Sequence, residues 1–450
     1  MKKPYQLGVA QLLEEFRRRE STSEQLVTSL IARIDEREPA VHAWAHLDRA
    51  QALERARNAD RHIRAGKTGE LLGIPVGIKD VIDVHGMPTG RGSPLFAGRL
   101  PECSATIVER LERAGGFALG KTVTAEFAYL HPGPTRNPWN PAHTPGGSSM
   151  GSAAAVADGM VPAAIGTQTN GSVIRPAAFC GCVGYKPSQG LLPRTGVQPL
   201  SPTLDQLGIF TRSVPDAAIV AGALIGHDPK DPLSLSDMSL SQNDFALRSR
   251  YQPPRLAVVR SPVWHLAEPA QRQRFEENLA ALRAAGALVE DLDLGSAFEI
   301  AHETLRIIMF AEGAVTFAKL HAQQRDQLSP ELNQLIEEGS RLRATRFEEA
   351  REQRQRLRTE LLRRMLLCDA VVTPPARGEA PATFGHTGDP SFCTIWTLCG
   401  VPAVTIPVGL GPQGLPLGLQ LVGRFLEDPS LLSVAQWCAQ AIGLPERMPA

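Results

Sequence analysis

The stretch from residue 144 to residue 186 constrains the fold of this 450-residue chain more than any other part of the sequence. Two glycine-rich serine loops, one containing Ser148 and one containing Ser172, lie on either side of an alanine-rich run. Glycine lets a backbone turn sharply and approach a ligand closely, so a serine in such a loop can present its hydroxyl to a reacting carbonyl. The two loops predict a nucleophilic serine with a hydroxyl partner.

Helix and strand patterns alternate along the chain, which favours an α/β sheet. The chain opens with helices, and Ser21 with Glu24 forms a capping-box pattern. A short apolar run from Leu72 to Ile78 predicts a buried strand that ends at Lys79. Further elements are predicted at residues 107–114, 117–119, 153–157, 161–165, 270–285, 287–292, 347–367, 370–373, 404–408 and 431–441.

A polar stretch at residues 227–254, rich in Ser, Asp and Pro, is the best linker candidate, yet strand patterns continue beyond it. We therefore predict one domain over residues 1–450, with this stretch as an excursion. An N-terminal helical segment occupies residues 1–70 and a catalytic core occupies residues 71–215. Residues 255–450 supply the rest of the sheet, the substrate-pocket helices and the C-terminal core.

Charge and cysteine usage exclude several classes of protein. The 47 basic and 47 acidic residues cancel, so no net field favours nucleic acid or an anionic membrane. Seven cysteines without a Cys-x-x-Cys spacing predict reduced thiols and no metal site. No apolar run approaches the roughly 18 residues needed to span a bilayer. We expect a cytoplasmic protein that binds neither metal, nucleic acid nor membrane.

Two motif matches are rejected because their surroundings do not fit. Residues 115–122 satisfy the phosphate-loop pattern, but a helix pattern precedes them and a strand pattern runs through them. Ser149 lies at the centre of a nucleophile-elbow pattern, yet three prolines within residues 138–145 exclude the buried strand that an elbow requires. We predict neither nucleotide binding nor a nucleophile at Ser149.

Lys79, Ser148 and Ser172 remain as the candidate reactive groups. A lysine can act as a base only when it is uncharged, and burial beside an apolar strand lowers the pKa of its ammonium group. The alternative is an ion-paired lysine with Asp80 as its partner. The spacing alone leaves both alternatives open.

Lys79, the two serine loops, the run from Gly171 to Gly181 and the segment Gly184-Tyr-Lys-Pro187 together resemble the amidase signature family. Landmarks at residues 73–80, 125–128, 399–403 and 416–423 resemble it too, in the expected order, so the resemblance covers nearly the whole chain. It implies a single α/β domain with a central mixed, largely parallel twisted sheet flanked by helices, and no cofactor. In its nucleophile loop the chain is most similar to malonamidase-like members.

The resemblance also implies a role for each candidate residue. The family uses a Ser-cisSer-Lys triad, which makes Ser172 the nucleophile, Ser148 the bridging serine after a cis peptide bond, and Lys79 the base. The implied oxyanion hole consists of the backbone N–H groups of Thr169, Asn170, Gly171 and Ser172.

Three side chains near the nucleophile are predicted to contact substrate, namely Gln168, Asn170 and Arg175. Many family members carry aspartate and glycine where this chain has Gln168 and Asn170. Arg175 resembles the arginine that recognises a substrate carboxylate in malonamidase-like members, since a guanidinium can donate two parallel hydrogen bonds. The alternative for Arg175 is a structural bond to an acidic side chain or to loop carbonyls. We expect pocket walls from His302, Glu303, Arg306, Phe310, Phe384, His386 and Trp396.

The implied function is amide hydrolysis. An amidohydrolase of this kind cleaves a linear carboxamide C–N bond through a serine acyl-enzyme and releases ammonia or an amine, here from a small polar or carboxylated amide. The alternatives are a carbamate or ester hydrolase, an A-type subunit of a glutamine amidotransferase, and a non-catalytic amide-binding relative. A free-standing hydrolase ranks first because the chain shows no basic face for tRNA. The expected partner is a small-molecule amide, and a homodimer is compatible with the sequence.

Overall fold

An 11-stranded sheet forms the centre of the computed structural model, which describes residues 3–236, 240–247, 252–443 and 448–449. Residue composition explains its interior, because the central strands are apolar on both faces and lie buried between helices. In chain order the strands are β1 Trp44–His46, β2 Pro75–Lys79, β3 Phe117–Thr122, β4 Ala163–Gln168, β5 Val183–Lys186, β6 Gln206–Thr211, β7 Arg255–Val258, β8 Leu288–Asp291, β9 Ala370–Thr373, β10 Ala403–Leu410 and β11 Pro416–Val422.

The sheet is mixed, in the order β1-β3-β2-β4-β6-β5-β10-β11-β9-β7-β8. The pairs β2–β3, β2–β4, β7–β8 and β7–β9 are parallel. The six other pairings between described strands are antiparallel, so the mixed sheet is confirmed but the expectation of a largely parallel one is wrong. A short turn between β10 and β11 makes that pair antiparallel, since a parallel pair needs a long crossover.

Helices cover the sheet, and none in the described part of the chain is long and apolar enough to cross a membrane. The predicted elements correspond to observed ones with ends displaced by a few residues. Strands β1, β5, β6, β7 and β11 were not predicted. The helices are α1 Val9–Arg18, α2 Ser23–Val41, α3 Arg49–Arg64, α4 Thr106–Arg113, α5 Met150–Ala157, α6 Ile174–Cys180, α7 Val214–Leu224, α8 Pro269–Ala284, α9 Ala301–Gln324, α10 Pro330–Ser340, α11 Ala344–Arg364, α12 Thr394–Leu398 and α13 Asp428–Ile442.

Helix α5 carries the alanine-rich run and is buried on all sides. Small side chains allow this close packing: a Cβ on Gly151 would lie 2.2 Å from the carbonyl oxygen of Ala43 and 2.4 Å from the nitrogen of Val123. The helix therefore approaches the backbone at the start of β1 and the end of β3 more closely than a larger side chain would allow.

The phosphate-loop match lies in a strand. Helix α4 ends at Arg113, and β3 begins at Phe117 and includes most of the motif. Strand β3 continues through the motif's lysine, whereas a phosphate loop requires a helix to open there. The structure thus agrees with rejecting the motif.

The polar stretch at residues 227–254 is described only in part, since residues 237–239 and 248–251 lie outside the described residues. Within the described part, Phe245 is buried against α7, and Asp231 bonds the guanidinium of Arg194 at 2.7 Å. These contacts join the stretch to the domain around it.

A buried ionic cluster holds the end of α5 against α2. The Asp158 side chain is fully buried and accepts hydrogen bonds from Arg33 at 2.8 Å and from Arg37 at 2.9 Å. Arg33 also donates to the backbone carbonyl of Asp158 at 2.9 Å. Removal of the carboxylate would leave the buried guanidinium of Arg33 with the solvent-exposed Glu36, at 3.1 Å, in place of a buried counter-ion.

We expect Asp158→Ala to lower the free energy of unfolding by about 3–5 kcal/mol, measured by urea denaturation, because Arg33 and Arg37 lose their buried counter-ion. The matched control is Glu14→Ala, which removes solvent-exposed pairs with Arg17 and Arg18 and should change stability by less than about 1 kcal/mol. Equal effects of the two substitutions would contradict this assignment.

Candidate active site

Lys79 ends β2 in the interior of the sheet and is fully buried. Its Nζ donates hydrogen bonds to the Oγ of Ser148 at 2.8 Å and to the Oγ1 of Thr167 at 2.7 Å. Burial lowers the pKa of Lys79 well below its ordinary value. The ion-pair alternative is not found, because the Asp80 carboxylate bonds the ammonium of Lys121 at 3.1 Å.

Ser148 lies in the turn that leads into α5 and is buried. The Gly147–Ser148 peptide bond is cis, as the family resemblance implied. Gly146 has a φ of +80°, and a Cβ there would lie 2.8 Å from the Cα of Pro176, so both conformation and space require glycine. The turn thereby holds the Ser148 hydroxyl on the Lys79 amine.

Ser149, the centre of the rejected elbow pattern, has a structural role. Its Oγ donates to the carbonyl oxygen of Thr167 at 3.0 Å and accepts from the Thr167 N–H at 3.2 Å. This pair of bonds ties the start of α5 to the end of β4. The hydroxyls of Ser148 and Thr167 consequently both lie within hydrogen-bond distance of the Lys79 amine.

The loop of Ser172 connects β4 to α6 and is organised by the Gln168 side chain. Gln168 Oε1 accepts from the N–H groups of Val173 at 2.9 Å and Ile174 at 3.1 Å, while Nε2 donates to Thr397 at 2.9 Å. The oxygen and the nitrogen of the Gln168 side-chain amide thus both have hydrogen-bond partners within the protein. This geometry favours a structural role for Gln168 over the expected substrate contact.

Asn170 is partly exposed, and its Oδ1 accepts a hydrogen bond from Thr394 at 3.2 Å. The positive φ of this loop falls at Gly171, with +81°. The Thr169 hydroxyl donates to the Asp205 carboxylate, and Ser172 follows with 6% of its surface exposed.

Arg175 is buried below this loop and combines features of both alternatives proposed for it. Its Nη2 donates to the carbonyl oxygen of Gly147 at 2.7 Å and to the hydroxyl of Thr387 at 3.0 Å. Its Nε and Nη1 have no partner among the described residues, and Nη1 lies 3.3 Å from the place where a Cβ on Gly171 would stand. Burial lowers the pKa of Arg175 to about 10.

The expected wall residues differ in their surroundings. His302 has a buried Nε2 without a partner in the described structure. Glu303 and Arg306 form an exposed ion pair at 2.8 Å, which places them on the surface. Phe310 and Trp396 lie in apolar clusters. Phe384 stacks on the guanidinium of Arg136, and His386 Nδ1 accepts a hydrogen bond from the Gly388 N–H at 3.0 Å.

A cavity of about 310 Å³ is lined in part by Thr167, whose hydroxyl bonds Lys79, and by Thr169, Asp205 and Arg194. Neither Thr167 nor Asp205 was predicted from the sequence as part of the site. Thr167 could have been predicted, because it is a polar residue near the end of the apolar strand that begins at Ala163. Asp205 could not, because it meets Thr169 only in the folded chain. A larger cavity of about 850 Å³ lies elsewhere, between α1, α7 and α13.

Comparison with known proteins gives consistent matches over the full length of the chain. The family profile described as Amidase matches residues 25–432. The A-type subunit of the glutamyl-tRNA(Gln) amidotransferase of Roseiflexus castenholzii is 35% identical over 481 residues, which cover 99% of this chain and 98% of the relative.

Solved structures are similar in fold. The native peptide amidase from Stenotrophomonas maltophilia has a TM-score of 0.87 at 29% identity and is covered over 98% of both chains. A chain from a vestigial protein complex linked to the origins of an s-triazine catabolic enzyme has a TM-score of 0.90 at 26% identity. That match covers 99% of this chain and 100% of the other.

We expect Ser149→Ala to lower the free energy of unfolding by about 1–3 kcal/mol, because the buried N–H and carbonyl of Thr167 each lose a partner. Urea denaturation measures the change. Ser340→Ala is the matched control, since it removes an exposed hydroxyl that bonds within its own helix at 2.7 Å, and it should change stability by less than about 0.5 kcal/mol. A Ser149 variant as stable as the Ser340 variant would exclude this tie between α5 and β4.

Proposed function

Because the chain belongs to the amidase family, we propose that it cleaves the C–N bond of a carboxamide through an acyl-enzyme on Ser172. The observation that carries the proposal is the buried Lys79 amine, which bonds the Ser148 hydroxyl at 2.8 Å. A buried lysine held by hydroxyls rather than by a carboxylate is costly to a fold, and its depressed pKa suits it to act as a base.

In the proposed reaction, neutral Lys79 takes a proton from Ser148 while Ser148 takes one from Ser172. The Ser172 oxygen then attacks the carbonyl carbon and forms a tetrahedral intermediate. When this intermediate collapses, the C–N bond breaks and Ser148 returns a proton to the leaving nitrogen. Water, deprotonated by the same pair, hydrolyses the ester and releases the carboxylate.

The loop that contains Ser172 supplies the proposed oxyanion hole. Its backbone N–H groups are held in place because Gln168 fixes one end and Gly171 provides the left-handed turn. Donors held in advance on the developing negative charge are worth up to roughly 3–4 kcal/mol each in a transition state. The N–H groups proposed for this role are those of Thr169, Asn170, Gly171 and Ser172.

For the substrate, the curated relatives favour an A-type subunit of a glutamine amidotransferase. The Roseiflexus relative is matched over nearly its full length and is 35% identical, which supports this function better than the free-standing hydrolase ranked first from the sequence. The lack of a basic face in the sequence is a weak objection, because a subunit that only releases ammonia need not hold tRNA. If the chain is such a subunit, its substrate is the side-chain amide of glutamine and its partners are the other subunits of the amidotransferase.

A free-standing amidase is the second candidate, and Arg175 favours it. The buried Nη1 of Arg175, which has no partner among the described residues, can donate to a substrate carboxylate near Gly171. The similar fold of a peptide amidase supports this candidate. An ester or carbamate could use the same serine, whereas a non-catalytic relative would have no use for a buried lysine held only by hydroxyls.

We expect a serine-directed sulfonyl fluoride to add to Ser172, and Ser172→Ala to abolish both the adduct and ammonia release. Mass spectrometry of peptides locates the adduct, and ammonia is measured with glutamine and a panel of small amides. Ser241→Ala, which changes an exposed serine of the polar stretch, is the control and should label as the parent does. Turnover that survives in Ser172→Ala would exclude the proposed nucleophile.

We expect Arg175→Met to raise KM for a carboxylated amide by roughly 10- to 100-fold, because the carboxylate loses its charge-assisted donors. KM for a neutral amide of similar size should change much less. Thr387→Val is the control, since it removes only the neighbouring hydroxyl bonded to Nη2. A similar increase in KM for both substrates would mean that Arg175 supports the Gly147 turn.

Turnover of small amides by the chain alone favours a free-standing amidase over a subunit that uses glutamine.

A further inference from the structure

Asp205 is a carboxylate at the junction between the oxyanion loop and the catalytic lysine. It accepts hydrogen bonds from the Thr169 hydroxyl, from the Leu200 N–H at 2.8 Å and from the Ser201 N–H at 2.9 Å. It also lines the 310 Å³ cavity together with Thr167, whose hydroxyl bonds Lys79.

The turn that carries Asp205 is itself held rigidly. Glu312 on α9 accepts a hydrogen bond from the Thr203 N–H at 2.9 Å and further bonds from the hydroxyls of Ser201 and Thr203. Asp205 thus links a fixed turn to Thr169, the first residue of the proposed oxyanion hole. Movement of this carboxylate would move the loop.

The charge of Asp205 also reaches Lys79. Its negative charge raises the pKa of Lys79 and so opposes the larger effect of burial. Neighbouring carboxylates are engaged elsewhere in the described structure: Asp80 pairs with Lys121, and Asp231 pairs with Arg194. The other charged groups that face this region are Glu312, bonded to the Ser201–Thr203 turn, Arg194, which donates to the Asp205 backbone carbonyl at 3.1 Å, and Lys230 on the cavity wall.

We propose that Asp205 is a positioning residue: it holds the Thr169 end of the oxyanion loop and places a negative charge on the cavity wall that it shares with Thr167, the hydroxyl partner of Lys79. This inference rests on the proposed function, since it assumes that neutral Lys79 is the base. In this role Asp205 acts through Thr169 and Lys79 and not directly on the reacting atoms.

The sign of the charge effect follows from the two groups. Catalysis needs neutral Lys79, so kcat/KM falls at low pH as Lys79 gains its proton. Burial raises the pKa of Asp205 to about 6, and above that pH its negative charge favours protonated Lys79. Removal of the charge therefore moves the acidic limb of the pH profile to lower pH.

The test compares pH profiles of kcat/KM and of the rate of Ser172 labelling by a sulfonyl fluoride. We expect Asp205→Asn to move the acidic limb down by roughly one pH unit and to lower kcat by about tenfold through loss of loop order. Asp205→Glu, which keeps the charge, should leave the limb in place. Asp231→Asn, a carboxylate on the same cavity wall, should also leave it in place.

Thr169→Val keeps the test decisive if Asp205→Asn does not fold. Loss of the Thr169 donor raises the pKa of Asp205, so this variant should move the limb in the same direction by a smaller amount. The proposal is overturned if the acidic limb of every variant that folds lies at the same pH as that of the parent, whether or not kcat falls. Asp205 would then have a purely structural role.

Failure of the proposed function gives a different result. In that case the parent enzyme itself shows neither Ser172 labelling nor amide turnover, and the inference falls with it. If the parent is labelled normally but the acidic limb does not shift in Asp205→Asn or Thr169→Val, the proposed role of Asp205 is overturned and the proposed function is not.

Discussion

The burial of one lysine amine between two hydroxyls is the constraint on which the rest of the site depends. Lys79 is held by the hydroxyls of Ser148 and Thr167, and burial keeps its pKa low. An amine in this state requires burial in a setting of low polarity. The sheet provides it, because β2 lies between β3 and β4 and α5 covers them.

Hydrogen bonds within the protein then fix both serine loops relative to this amine. Ser149 ties the first loop to Thr167, Gln168 caps the start of α6 after the second, and Arg175 reaches from α6 to the carbonyl of Gly147. Of these side chains, Gln168 and Arg175 were predicted from the sequence to contact substrate, and Ser149 lies at the centre of a nucleophile-elbow pattern. In the fold they mostly orient their neighbours, which is how a reactive geometry is held without substrate.

Local patterns made much of the fold predictable. Apolar runs and helix periodicity located β2, α5 and β9 to within a few residues, because such patterns reflect burial of one element at a time. Strand direction was less accessible. The β10–β11 hairpin and its pairing with β5 make the middle of the sheet antiparallel, and pairing between distant strands leaves no trace in local sequence.

The sequence by itself determined the family, the α/β class and the three candidate reactive residues, because those rest on residue types at fixed spacings. Only the tertiary structure decided that Lys79 has hydroxyl partners while Asp80 pairs with Lys121, and that Asp205 faces Thr169. The physical reason is that partners 36 to 88 residues apart in the chain meet only when the sheet and its loops have packed.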